Sequence, residues 1–286
     1  MELLYLLESL RNPVLDFFFS VITLMGEETV FMAAGMIVFW CVGKYQGYYL
    51  LCTGFVGTVI NQFLKMLFRI PRPWVKDPSF TIVESAREAA SGYSFPSGHT
   101  QSSVGLFGGI ARWNKGTLIR IVTIALCVLI PISRLYLGVH TPLDVGVSIA
   151  IALLLIFVGA PLFRRAEHSP RLMLWMLCTM TAAIVAYLLY VCLYPFPEEV
   201  YHADVIHNLE SARKNGFTLL GAMLGFLVVY PVERKYIQFD TRAVWWAQIL
   251  KAVGGILLVL AAKELLRFPL DAICGEELLL LSRCIR

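Results

Sequence analysis

Long apolar runs recur along this chain, at residues 121–132, 145–162, 172–193 and around 256–262. Each belongs to a stretch of roughly 20 residues, the length an α-helix needs to cross the hydrocarbon of a bilayer. Inside hydrocarbon no water satisfies backbone N–H and C=O groups, so a spanning segment of this kind must be helical. The expected fold class is all-α, a polytopic transmembrane helical bundle. Composition agrees, with 58% hydrophobic and 15% charged residues, where soluble domains carry about 25% charged residues.

Apolar runs read against their polar punctuation predict membrane segments near 13–26, 28–43, 46–68, 100–113, 117–139, 142–163, 171–194, 213–231 and 243–266. The first has a short apolar part and follows Asn12-Pro13, so it either spans or lies in the interface, which makes eight or nine segments. No internal repeat or soluble insertion breaks the series. One membrane domain, 1–286, is the simplest division, with additional transmembrane helices at 171–266 following a core at 28–163.

Two polar stretches, 69–99 and 195–213, stand out, and long loops in compact proteins are usually functional or disordered. Counting spans puts both on one side of the membrane, together with the turn at 134–140. The opposite links carry Lys44, Arg112, Lys115, Arg120, Arg164, Arg165, Arg171, Arg234, Lys235 and Arg242, which the positive-inside rule assigns to the cytoplasm. The polar loops are then expected to face outward.

Several classes drop out. The net charge is +4 and no Lys/Arg block is interleaved with aromatics, so no nucleic acid partner is expected. Five of the seven cysteines, Cys41, Cys52, Cys127, Cys178 and Cys192, lie in apolar runs without a C-x-x-C spacing and read as small buried hydrophobes. Cys274 and Cys284 can pair if the tail is extracytoplasmic, or stay as thiols. His202, Asp204 and His207 match no zinc spacing and read as a polar loop, so no metal site and no cofactor is expected. Glu2 and Glu8 precede the first basic residue, Arg11, unlike the basic start of a secretory signal peptide. No sequence feature specifies an oligomeric state.

Ionisable residues beside apolar runs are expensive and usually functional. Lys65, Arg69, Arg72, His99, Arg134, His140 and Asp144 all fall on the outward face. Lys65 ends the third segment; alone, it would read as a lysine snorkelling to the interface. Pro71 and Pro73 stop that helix, which predicts that Arg72 projects from an extended segment back over the helix end. Like charges gathered in this way repel unless an anion with several oxygens sits among them, and phosphate answers that description.

Phe95-Pro96-Ser97-Gly98-His99-Thr100 reads as a helix start with Ser97 or a neighbour as N-cap. A helix N-terminus with Gly98 permitting close backbone approach is a natural phosphate cradle. Capping accounts for Ser97 and Gly98 but not for His99. Further on, Thr141 and Pro142 read as N-cap and first helical residue, which sets Asp144 at the third position. A capping acid is the bland account of Asp144. The same spacing lets it orient His140 through one ring nitrogen and leave the other as a nucleophile.

Lys65 to Pro73 reads K-x6-R-P, Pro96 to His99 reads P-S-G-H, and Ser133 to Asp144 reads S-R-x5-H-x3-D. In that order these resemble the three-part motif of the type 2 phosphatidic acid phosphatase superfamily, over roughly residues 31–162. The resemblance implies a six-helix catalytic core and a metal-independent phosphohistidine mechanism. His140 would attack phosphorus, Asp144 would orient it, and His99 would protonate the leaving oxygen and then activate water. Lys65, Arg72, Ser97, Gly98 and Arg134 would hold the phosphoryl oxygens. Arg69 falls where the motif is open, and Ser133 can simply bond back to its own helix.

The expectation is an integral membrane enzyme, of bacterial plasma-membrane type, that hydrolyses a lipid phosphate such as a polyprenyl diphosphate or a phosphatidate-like lipid. Two alternatives use the same residues. One is a phosphoryl or headgroup transferase; the other is a transport or lipid-binding protein whose basic cluster holds anionic headgroups without turnover.

Overall fold

A computed structural model describes residues 1–87, 90, 92–196 and 202–274, the side chains of 202–207 and 267–274 aside. All regular structure among these residues is helical. Two short helices come first, α1 (Glu2–Ser9) and α2 (Pro13–Leu24). Pro13 occupies the first turn of α2, where its missing N–H costs nothing, and the Asn12 side chain accepts from the Leu15 N–H at 3.1 Å. Helix α3 (Glu28–Cys41) follows at a 47° bend, and α2 with α3 together are long and apolar enough for one broken span. That joins the first two sequence segments into one.

Helix α4 (Lys44–Phe68) leads to a single turn, α5 (Pro73–Lys76). Helix α6 (Gly98–Ser103) runs through a π-turn at Val104–Gly108 into α7 (Gly109–Trp113). Helices α8 (Thr117–Tyr136), α9 (Pro142–Glu167) and α10 (Pro170–Leu193) match the sequence segments within a few residues. Helix α11 (His202–Val232) and α12 (Trp245–Cys274) complete the described chain.

Among the described residues five helices meet the length and hydropathy of a span, or six with the bent pair. The sequence count of eight or nine is larger because α2 and α3 count together as one bent pair, the helix at 98–113 is short and interrupted by its π-turn, and α12, which covers the segment expected at 243–266, is not among these candidates. The polar stretch at 195–213 is also not all loop, since α11 already begins at His202. Ala203, Leu209, Glu210, Ala212 and Arg213 are good helix formers and no Gly or Pro lies among them, so helix propensity carries the turn structure into the polar region.

The chain divides into two compact units. The first comprises Met1–Ala34 and Leu50–Pro161. Here the polar loop after α5 builds a small core of its own: Phe80 and Ile82 pack with Leu4 of α1, and Ala86 and Ala90 with Tyr136, Leu137 and Val139 at the end of α8. The second unit comprises Gly35–Tyr49 and Leu162–Arg286. In it Tyr187 of α10 donates to the Ala212 carbonyl at 3.2 Å, and Lys44 pairs with the buried Glu233 at 2.5 Å. Cys41, Cys52, Cys127, Cys178 and Cys192 are free thiols. Of these Cys52 is buried, Cys41 and Cys127 are half-buried, and Cys178 and Cys192 are exposed on α10, so the reading of all five as buried hydrophobes is corrected. At Cys178 and Cys192 the apolar surroundings come from the bilayer rather than from the protein. The Cys274–Cys284 question and the side chains of His202, Asp204 and His207 lie outside the described residues.

Candidate active site

The first group of site residues is organised by the way α4 ends. Arg69 takes a left-handed conformation, φ 48°, and its N–H bonds to the Lys65 carbonyl at 2.9 Å. The helix is therefore closed at Phe68, ahead of the prolines, and Arg72 follows in an extended conformation as N-cap of α5. The Arg72 side chain turns inward: Nε donates to Gly92 O at 2.9 Å, and Nη1 donates to Val139 O at 2.9 Å and stands 2.9 Å from His140 Nε2. Lys65 Nζ donates to Tyr93 O at 2.5 Å. The loop thus wraps both cations with its own carbonyls.

Ser97 is the N-cap of α6, accepting from the Thr100 N–H at 3.4 Å. Its N–H bonds to the Asp144 carbonyl at 3.3 Å, tying the second motif to the third. A methyl group placed on Gly98 would find Asn61 Oδ1 as its nearest neighbour, at 4.0 Å, so the space in front of this first helical residue is open.

The third motif leaves α8 and enters α9. Ser133 Oγ bonds back to Ile130 O at 2.6 Å, the helix-internal role the sequence allows. Arg134 is fully buried; Nη1 donates to Thr23 Oγ1 of α2 at 2.8 Å, while Nε and Nη2 have no partner among the described residues. Gly138 sits at φ 80°, where a Cβ would stand 2.6 Å from Arg11 Nη2. Thr141 and Asp144 form a reciprocal cap: Thr141 N donates to Asp144 Oδ2 at 2.7 Å, and Asp144 N to Thr141 Oγ1 at 3.3 Å. The same Oδ2 accepts from Ser94 Oγ at 2.5 Å and faces His140 Nδ1 at 3.6 Å.

The 3.6 Å separation is an electrostatic contact rather than a hydrogen bond. With Arg72 donating to Nε2, the hydrogen-bond network assigns the ring proton to Nδ1, on the side of Asp144. Burial is the main force on His140; Arg72, Arg134, Lys65 and His99 add to it, and together they hold its imidazole well below the usual histidine range. His140 is therefore held in the neutral form, with Nε2 accepting from Arg72.

Lys65, Arg72, Gly98, His99, Arg134 and His140 converge on one cavity of about 230 Å³. Ser97 and Asp144 stand behind this lining, and Arg69 and Ser133 do not reach it. Residues that sequence reasoning misses also take part. Ser94 grips Asp144, Thr23 grips Arg134, and Glu28, Asn61 and Gln101 line the cavity. Thr23 and Glu28 come from helices far away in sequence and carry no local signature, so only their packing reveals them.

Such a convergence has the groups to bind a phosphoryl group and attack it, and several proteins to which the chain is similar are phosphatases by name. Residues 45–168 match the family model described as the PAP2 superfamily, and 217–286 match its "PAP2 superfamily phosphatase, transmembrane extension". Undecaprenyl-diphosphatase BcrC of Bacillus subtilis (strain 168) is 30% identical over 153 residues, which cover 52% of this chain and 75% of that protein. The chain belongs to the PAP2 superfamily. A second relative, a probable sphingosine-1-phosphate phosphatase of Dictyostelium discoideum, is 32% identical over 161 residues, covering 51% of this chain and 38% of that longer protein. Among solved structures, Aquifex aeolicus LpxE superimposes with TM-score 0.50 at 26% identity, over 56% of this chain and 93% of its own. The PAP2 match spans α4 to α9, the helices that carry the three motifs, and the extension and apolar helices make this an integral membrane protein.

Proposed function

We propose that the protein is a membrane lipid phosphatase that cleaves a phosphoric ester or diphosphate through a covalent phosphohistidine on His140, without a metal ion. The observation that carries this reading is the convergence of two histidines and three buried or half-buried cations on one cavity. Anionic-lipid binding alone would use the cations and leave His99 and His140 without a purpose.

In this mechanism a phosphoryl group takes over the Arg72 contact with His140 Nε2 and fills the open donors of Arg134. The freed Nε2 lone pair attacks phosphorus, the P–O bond to the lipid breaks, and His99 gives its proton to the leaving oxygen. Neutral His99 then accepts a proton from water, which displaces His140 and releases phosphate. Lys65, Arg72, Arg134 and the amides at Ser97–Gly98 stabilise the charge spread over the equatorial oxygens, the work that other phosphatases give to a metal. Asp144 keeps the His140 proton on Nδ1 and stabilises the charged phosphohistidine.

Burial, with Arg134, Arg72 and Lys65 nearby, lowers the basicity of His99. A bound phosphate dianion offsets those cations and restores it, so proton donation is coupled to substrate binding. Catalytic core and C-terminal helices are read as one membrane domain, with the core at 28–163, in a bacterial plasma membrane and with the cavity facing outward.

The test is phosphate release by detergent-purified protein from a panel of lipid phosphates and diphosphates in excess chelator, beside His140→Ala. Release that persists with chelator and disappears in the variant is expected. Release unaffected by His140→Ala would overturn the mechanism, and product other than inorganic phosphate would favour transfer to another acceptor.

A further inference from the structure

The cavity continues beyond the residues of the three motifs. It is also lined by Glu28, Thr58, Asn61 and Gln101. Asn61 is 3% exposed and its Nδ2 has no partner among the described residues; Gln101 is 5% exposed and its Oε1 has none there either. A buried donor and a buried acceptor left open on one cavity are costly unless a ligand completes them. The Gln101 side chain is brought there by Gly57 of α4, where a Cβ would stand 2.9 Å from Gln101 Nε2.

Glu28 adds a carboxylate, hydrogen-bonded to Thr58. Its position relative to the chemistry follows from Gly26, where a Cβ would lie 3.2 Å from His99 O and 3.3 Å from His99 Cβ. The segment carrying Glu28 therefore packs on the histidine that serves the leaving oxygen. Asn61 lies one helical turn before Lys65 and faces Gly98.

We infer that Glu28, Asn61 and Gln101 form a subsite for the alcohol side of the scissile bond, selecting a lipid phosphate monoester whose alcohol carries a hydrogen-bond donor, ammonium or hydroxyl, beside the phosphate. This rests on the phosphatase reading above. Asn61 Nδ2 donates to the ester oxygen, Gln101 Oε1 accepts from the substrate donor, and the Glu28 carboxylate attracts an ammonium. The same carboxylate repels the second phosphoryl group of a diphosphate, so discrimination comes from repulsion as well as attraction.

The experiment compares kcat/KM of wild type, Glu28→Gln and Gln101→Met on a sphingoid-base phosphate and a polyprenyl diphosphate, with inhibition by inorganic phosphate as the measure of an intact phosphate site. Wild type is expected to prefer the sphingoid-base phosphate. Glu28→Gln should reduce that preference by about tenfold or more, the scale on which a lost hydrogen-bonding partner is discriminated, and Gln101→Met should move it the same way, with phosphate inhibition retained. An unchanged preference in Glu28→Gln, or a parallel fall on both substrates with loss of phosphate inhibition, overturns the subsite. Wild type that hydrolyses both lipids equally well also sinks the subsite while sparing the phosphatase reading; wild type that hydrolyses neither, nor any other lipid phosphate, defeats that reading itself.

Discussion

Asp144 fills two roles that its sequence context offers as alternatives. Its Oδ2 closes the cap of α9 through the Thr141 N–H and at the same time faces His140 Nδ1, with Ser94 Oγ as a further donor. Removing the hydroxyl in Ser94→Ala frees the carboxylate to rotate. A fall in kcat of roughly tenfold with little change in KM is expected, in line with the loss of an orienting partner, and Ser94→Thr should recover most of it. Equal loss in both variants would point to packing rather than orientation. His140 also sets the pH dependence. Its pKa is held down by burial first and then by Arg72 and the other cations, so the attacking neutral form persists below the ordinary histidine range. The acid limb of kcat/KM should accordingly lie below about pH 6.5, and in Arg72→Gln, with one cation removed, the limb measured on residual activity should move to higher pH. A limb that stays in place would remove Arg72 from the causes.

At the scale of elements, the third motif is held by helices that lie outside the 45–168 match. Arg11, just after α1, donates through Nε to Tyr136 O at 3.2 Å and through Nη1 to Thr81 O at 2.8 Å. Tyr136 Oη donates to Asp16 of α2 at 2.7 Å, and Thr23 of α2 holds Arg134. These contacts clamp the turn that presents His140. Gly138 is the point of closest approach: alanine there meets both a left-handed backbone and Arg11 Nη2. The backbone strain alone costs roughly 1–2 kcal/mol, so Gly138→Ala should lower the unfolding temperature in detergent, and an unchanged transition would show that the turn relaxes freely. Thr23→Val, nearly equal in size, takes away the hydroxyl that holds Arg134; phosphate affinity should change with no loss of thermal stability beyond that expected for one hydrogen bond, about 1 kcal/mol. Sequence periodicity locates α8, α9 and α10 well because their apolar runs end on polar residues. It misses α1, whose eight residues carry no span-length signal, and it misjudges 202–213, where helix formers outweigh polarity.

For the whole molecule, apolar side chains such as Leu118 and Ile121 on α8 and Leu154 and Phe157 on α9 remain exposed, the pattern of helices solvated by lipid. The proposed orientation can be read directly. In a variant stripped of its native cysteines, a cysteine at Ser79 should react with a membrane-impermeant thiol reagent added outside intact cells, and one at Lys115 should react only after permeabilisation. The reverse pattern would invert the topology.

The membrane location, the all-helical class, the three motifs and the family follow from local sequence, because hydropathy, caps and short spacings are properties of neighbouring residues. The cavity itself does not. That Ser94 and Thr141 share one oxygen of Asp144, that Thr23 reaches Arg134 across 111 positions, and that Asn61, Gln101 and Glu28 line one cavity with the histidines are matters of packing between distant helices. No single-chain periodicity encodes such meetings, since each depends on where several helix faces come to rest against one another.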